Sequence, residues 1–225
     1  MNKIQKLCDM ASKLVGVKES GKNKGKMVEE FQKAVDGKAQ GEPWCMAFVQ
    51  YCIKKSDEFG GDSSWLFKTE HVLTCWNKSP REARLNKPEV GSVVIWNYYK
   101  NGKPTSSGHT GIVEKIIDSK TMITIEGNTG DGSAINREGD GVYRRKRMIG
   151  NSGSFVLLGY LKPWKNPVFT NESEKPKENE EIVKQKSLTK KEKELEIEII
   201  PEPKLEPKTN AWENLINFFT RFMPH

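Results

Sequence analysis

Long apolar runs are missing from this sequence. No stretch approaches the roughly 18 consecutive apolar residues that a membrane-spanning helix needs, so a helical transmembrane protein is excluded. Histidine is scarce, with three in 225 residues, and neither the histidines nor the four cysteines show the paired spacing of a zinc site. No metal and no cofactor is expected. The N-terminus begins basic, but Ile4, Leu7, Cys8, Ala11, Leu14 and Val15 recur at helical spacing instead of forming the solid apolar block of a signal peptide. With no export signal expected, Cys8, Cys45, Cys52 and Cys75 are read as thiols, and no disulfide scaffold is needed.

Glycine is absent after residue 159, and five of the six tryptophans precede residue 165, so turns and large core side chains sit in the first three quarters of the chain. Residues 1–165 are read as the folded domain. Residues 166–209 hold 9 Lys, 11 Glu, five Pro, no Gly and one aromatic residue, too little apolar surface to offset the entropy of ordering. They are expected to form a charged linker. Leu195, Ile197 and Ile199 alternate with Glu196 and Glu198 inside it, which leaves a short strand or docking segment as the other reading. In residues 210–225, Trp212, Leu215, Ile216, Phe219, Phe222 and Met223 fall on one helical face, behind an Asn210 and Glu213 pair resembling a capping box. An amphipathic helix is expected there. Its single cation, Arg221, disfavours a membrane surface and favours self-association or docking on a partner, with packing on its own domain as the plain alternative.

The formal charge is +7. The linker contributes −2 and the last segment nothing, which leaves +9 on residues 1–165. Such a surface favours encounter with polyanions. Nucleic acid is not the expected partner, because the run Arg144, Arg145, Lys146, Arg147 has no recognisable binding motif around it and reads as a solvated strand.

Helices are expected at 2–15, at 26–35 and from Pro43 through the apolar segment that follows. A mixed region covers 62–88, and strands are expected at 93–96, 110–117, 122–126, 142–145 and 155–161. Helices first and strands afterwards predict an α+β fold, with helices packed on an antiparallel sheet.

A thiol becomes a useful nucleophile where something lowers its pKa, and the positive end of a helix is such a place. Only Cys45 stands at an expected helix start. Its partner imidazole is narrowed to His109, since His225 is the last residue and His71 lies in an irregular polar segment. His109 is expected to open a strand after a flexible 103–108 loop. A hairpin around Asp118-Ser119-Lys120 then returns Glu126 and Asn128 beside it, both on one face by strand alternation. Either is placed to accept from the imidazole or to polarise the scissile group.

Pro43-Trp44-Cys45 with Ala47-Phe48-Val49, Pro88 to Val93, Gly108 to Val113, and Glu126-Gly127-Asn128, in that order, resemble the CHAP family of cysteine- and histidine-dependent amidohydrolases and peptidases. The resemblance covers roughly residues 10–162 and implies a papain-like fold and cleavage of peptidoglycan. Carried over by position, it makes Cys45 the nucleophile, His109 the general base and then acid, Glu126 the orienter of His109, and Asn128 a polar helper. Glu19, Asn23 and Gly25 also resemble a recurrent element of phage lysins, or are simply a helix-capping turn. Two departures stand out. Ser92 occupies a position where family members often have Asp. Where some members place several Asp before the cysteine to bind calcium, only Asp36 stands here, alongside Glu42, too few hard oxygens for such a site.

The implied function is an endolysin-like peptidoglycan hydrolase, either amidase or endopeptidase. It would be made in a host cytoplasm and act at the wall after release, or be carried on a virion. The alternatives are a papain-like protease acting on proteins and a non-catalytic wall-binding or virion module.

Overall fold

The computed structural model describes residues 2–57, 63–132 and 139–165. The expected linker (166–209) and C-terminal helix (210–225) lie outside the described residues.

Four helices come first: α1 (Lys3–Lys13), α2 (Lys26–Asp36), α3 (Cys45–Ser56) and α4 (Val72–Lys78). Six strands follow: β1 (Arg84–Leu85), β2 (Val93–Lys100), β3 (Lys103–Ile116), β4 (Thr121–Thr129), β5 (Gly141–Met148) and β6 (Phe155–Leu161). The strands form one antiparallel sheet in the order β1-β6-β2-β3-β4-β5. The fold is α+β and papain-like, as expected.

The helices differ in character. α1 is amphipathic and opens on an Asn2 side chain that accepts from the Gln5 N–H at 2.7 Å, so its start is satisfied locally. α3 is apolar nearly all round, and nine of its twelve residues are buried. A helix of that composition needs partners on several sides. It finds them in α1, α2, β3 and β4. Phe48 is fully buried there, edge-on to Phe31 of α2 at 5.6 Å between ring centres, and burial of one such side chain stabilises by about 1.5–3 kcal/mol.

Alternation along the strands divides the sheet into two apolar faces. Val93, Ile95, Ile112, Ile125, Val142 and Leu161 join the helical core. Val94, Trp96, Val113, Met122, Phe155 and Tyr160 form a second cluster. The folded part reaches Trp164, which is buried and donates from its indole to Asp57 at 3.2 Å, while Lys3 pairs with the same carboxylate at 3.0 Å.

Three sequence expectations need correction. His71 does not lie in an irregular segment: it is the N-cap of α4, its Nδ1 accepting from the Thr74 N–H at 3.3 Å, and both α4 and β1 fall in the mixed region. Residues 103–108 belong to β3 and are not a loop. A bulge at Asn97–Tyr99 breaks the ladder, and the Asn97 amide replaces the missing bonds by donating to the carbonyls of Thr105 and Ser107, each at 2.9 Å. The basic run of β5 is only half solvated. Arg144 and Lys146 are exposed, whereas Arg145 and Arg147 are buried on the other face.

No helix among the described residues is long and apolar enough to cross a membrane.

Candidate active site

Cys45 is the first residue of α3, behind Trp44 as N-cap, and no side chain caps that helix. The first-turn N–H groups are therefore left without an intrahelical partner at the place where the thiol emerges. The loop before it is braced from the turn after α1. Asn23 donates to the Gly41 carbonyl at 3.1 Å, the buried Gln32 to the Glu42 carbonyl at 2.8 Å, and the Trp44 indole to Glu19 at 3.3 Å. Gly25 begins α2 at φ +133°, a conformation glycine adopts without strain. Glu19 and Asn23 thus do more than cap a helix: they hold the approach to Cys45.

His109 lies opposite Trp96 in the β2–β3 ladder, with the two rings stacked at 6.2 Å between centres. Its Nε2 meets Glu126 Oε2 at 2.9 Å, and both residues are at most 1% exposed. That contact leaves Nδ1 for the thiol. Two glycines make the approach feasible. A Cβ on Gly111 would lie 2.5 Å from Glu126 Cγ, and one on Gly127 would lie 2.7 Å from Phe48 Cβ, so side chains there would push the sheet off Glu126 or off α3.

Electrostatics separates the four thiols and defines the imidazole. Burial pushes the thiols of Cys8 and Cys75 up to about 11 and that of Cys52 well above its ordinary value, so these three are poor nucleophiles. Burial alone would lower the pKa of His109. Hydrogen bonds and charge at Cys45 and Glu126 outweigh it and raise the ring to about 9. Burial would likewise protonate Glu126, but hydrogen bonds from Arg147 and His109 hold its carboxyl well below the usual range.

Asn128 completes the grouping, but by a different route from simple alternation. The β4–β5 register shifts between Glu126 and Thr129, and Asn128 takes a left-handed φ of +52°, which turns it into the cleft. The structure therefore brings Cys45, His109, Glu126 and Asn128 together. An open cleft of about 230 Å³ gives access to Cys45, His109 and Asn128, with Pro43 and Gly108 in its walls and Glu42, Glu70 and His71 along one side. Among the described residues, no group of three or more His, Cys, Asp or Glu is placed to hold a metal ion.

Arg147 escaped the sequence reading. Its Nε donates to Glu126 Oε1 at 2.7 Å and its Nη2 to Oε2 at 2.6 Å, within a completely buried pair. The available signal was the two-residue period of β5, which sends Arg145 and Arg147 to the same side. It was hidden by a run in which every residue is cationic.

Residues 37–128 match the family model of the CHAP domain, a span that contains Cys45, His109, Glu126 and Asn128 and stops short of Arg147. No curated protein and no solved structure matches the chain. The segment that builds the cleft thus matches the CHAP domain, and that match supports a peptidoglycan hydrolase of amidase or peptidase type.

Proposed function

We propose that this protein is an endolysin-like enzyme that cleaves an amide bond of peptidoglycan through a covalent acyl-enzyme on Cys45. The observation that carries the reading is the buried His109–Glu126 pair at 2.9 Å, with Cys45 at an uncapped helix start on the other side of the ring. With its pKa raised to about 9, His109 holds a proton at neutral pH, the form required to protonate a leaving amine.

The steps follow from these positions. The Cys45 thiolate adds to the amide carbon, and the developing oxyanion is met by N–H groups in the first turn of α3. His109 gives its proton to the departing nitrogen, the C–N bond breaks, and a thioester remains. Water then enters, His109 takes its proton, and the new hydroxide adds to the thioester. Collapse releases a carboxylic acid and regenerates the thiolate and imidazolium. Glu126 fixes the ring and stabilises its charge, and Asn128 lies where it can donate to the reacting carbonyl. No metal is required in this scheme.

The +9 charge on residues 1–165 favours approach to a wall carrying anionic polymers. In this reading residues 166–209 serve as a tether and residues 210–225 as a recruiting segment that self-associates or docks on a partner. The enzyme works at the wall, delivered by release from a host cell or on a virion. A chain ending at Lys165 should keep its turnover on soluble muropeptides while losing apparent mass or potency on whole cells. Unchanged mass and potency would remove the recruiting role.

The direct test compares purified sacculi with casein. Solubilised sacculi and intact casein are expected. Digestion of casein alone would make the protein a papain-like protease, and binding to sacculi without solubilisation would make it a wall-binding module.

A further inference from the structure

Arg147 lies beyond the segment that matches the CHAP domain and does not line the cleft, yet it donates to both oxygens of Glu126, at 2.7 and 2.6 Å. Four bonds converge on the two oxygens of that carboxylate. Arg147 occupies both, Thr124 Oγ1 donates to Oε1 at 2.6 Å, and His109 Nε2 meets Oε2 at 2.9 Å. A carboxylate held in this way cannot rotate away from the imidazole. The two-pronged grip needs a guanidinium, since an ammonium offers one compact charge and no fork.

The other groups around this cluster do not substitute for it. On β5, Arg145 directs its Nη1 to the Asp131 carbonyl, and Tyr143, directly across from Glu126, donates its hydroxyl to Asp140 at 2.7 Å. From β3 comes His109 itself, and from α3 Cys45 on the far side of the ring. Trp96 of β2 stacks on the imidazole without charge.

We propose that Arg147 is a positioning residue: by clamping both oxygens of Glu126 it keeps that side chain ionised and aimed at His109 Nε2, and so preserves the reactive thiol–imidazole pair toward acid pH. Arg147 acts through two intermediaries and touches no reacting atom. Without it, Glu126 would be a fully buried carboxyl left with the Thr124 hydroxyl and one imidazole, and burial would favour its protonated form. A neutral Glu126 no longer stabilises imidazolium, and the pair with Cys45 is then lost as pH falls.

The inference rests on the Cys45–His109 chemistry proposed above, so its test avoids peptidoglycan. The rate of Cys45 alkylation by iodoacetamide is followed against pH in the full chain by mass spectrometry of the Cys45 peptide, with folding checked by circular dichroism. In Arg147→Met the acid limb of this profile should move up by at least about 1 pH unit, with rates converging on wild type at alkaline pH. Arg147→Lys, which keeps the charge and loses the fork, should move it less than half as far. In a Glu126→Gln background, Arg147→Met should produce no further movement.

A uniform drop in rate with an unmoved limb would reduce Arg147 to a structural role and overturn the proposal, as would a further shift in the Glu126→Gln background. If Arg147→Met does not fold, the Lys variant decides, and a limb unmoved there overturns the proposal as well. Sacculi that stay intact with a limb that moves would remove the functional reading and leave this inference standing. Sacculi that dissolve with an unmoved limb would do the reverse.

Discussion

Two glutamates of the same domain behave in opposite ways. Glu126 is fully buried and remains ionised far below the usual range, whereas Glu70 is only half-buried at the side of the cleft and is raised to about 7. Burial alone predicts the reverse ranking. What differs is the neighbours. Glu126 receives hydrogen bonds from Arg147, His109 and Thr124. Glu70 is pushed up by burial, by the charge and hydrogen bond of Glu42, and by Asp36. Donor count and the sign of nearby charge, more than depth, decide the protonation state of a carboxyl. The cleft thus has a permanently charged floor behind the imidazole and an acidic side that titrates near neutrality.

The largest expected effect is at the group served by the floor. Cys45→Ala should cost at least on the order of 10³-fold in turnover, with Cys8, Cys52 and Cys75 to Ala costing little chemistry, read by release of soluble muropeptides. Substantial turnover in folded Cys45→Ala would remove the nucleophile.

Next is the floor itself. Glu126→Gln retains a hydrogen-bond acceptor for His109 but no charge, so turnover should fall by roughly 10²–10⁴-fold in a folded protein. Glu126 is among the groups that raise His109 to about 9, so its neutralisation should also move the alkaline limb of the pH–rate profile downward. The sign follows from the imidazolium, which loses its proton earlier once the carboxylate no longer stabilises it. If Asn128→Ala shows the larger loss instead, the two roles are exchanged.

The smallest effect belongs to the side of the cleft. Glu70 binds a proton more tightly in the folded state than at its ordinary value of 4.5, so its contribution to stability is fully present below 4.5 and is lost as pH rises through about 7. Glu42→Gln removes the like charge and should raise the melting temperature at pH 8 while leaving it nearly unchanged at pH 4. Equal shifts at both pH values would show that the two carboxyls do not interact.

The sequence and the structure agree where chemistry and local pattern coincide. Cys45 was found because an apolar helix behind Pro43 places a thiol at its start, and His109 and Glu126 because a short polar turn at Asp118 to Lys120 demands a hairpin. Three features were hidden for physical reasons. Residues 103–108 are polar and contain Gly108, with no alternation to mark a strand, and their pairing depends on the Asn97 side chain. α4 is seven residues long, too short to show a helical period. Arg147 meets Glu126 only because β5 pairs with β4 in the register that sets Met122 opposite Arg147, a long-range fact that no local pattern encodes. The turn at Asn128 was anticipated in position but not in mechanism, since a left-handed asparagine in a bulge replaces simple alternation.

The measurement that bears most directly on the account is mass spectrometry of fragments released from defined peptidoglycan by the full chain and by Cys45→Ala. The account predicts a new amine and a new carboxylic acid at one amide bond with the intact enzyme, and unaltered polymer with the variant. Fragments that also form with folded Cys45→Ala, or cleavage at a glycosidic bond, would contradict it.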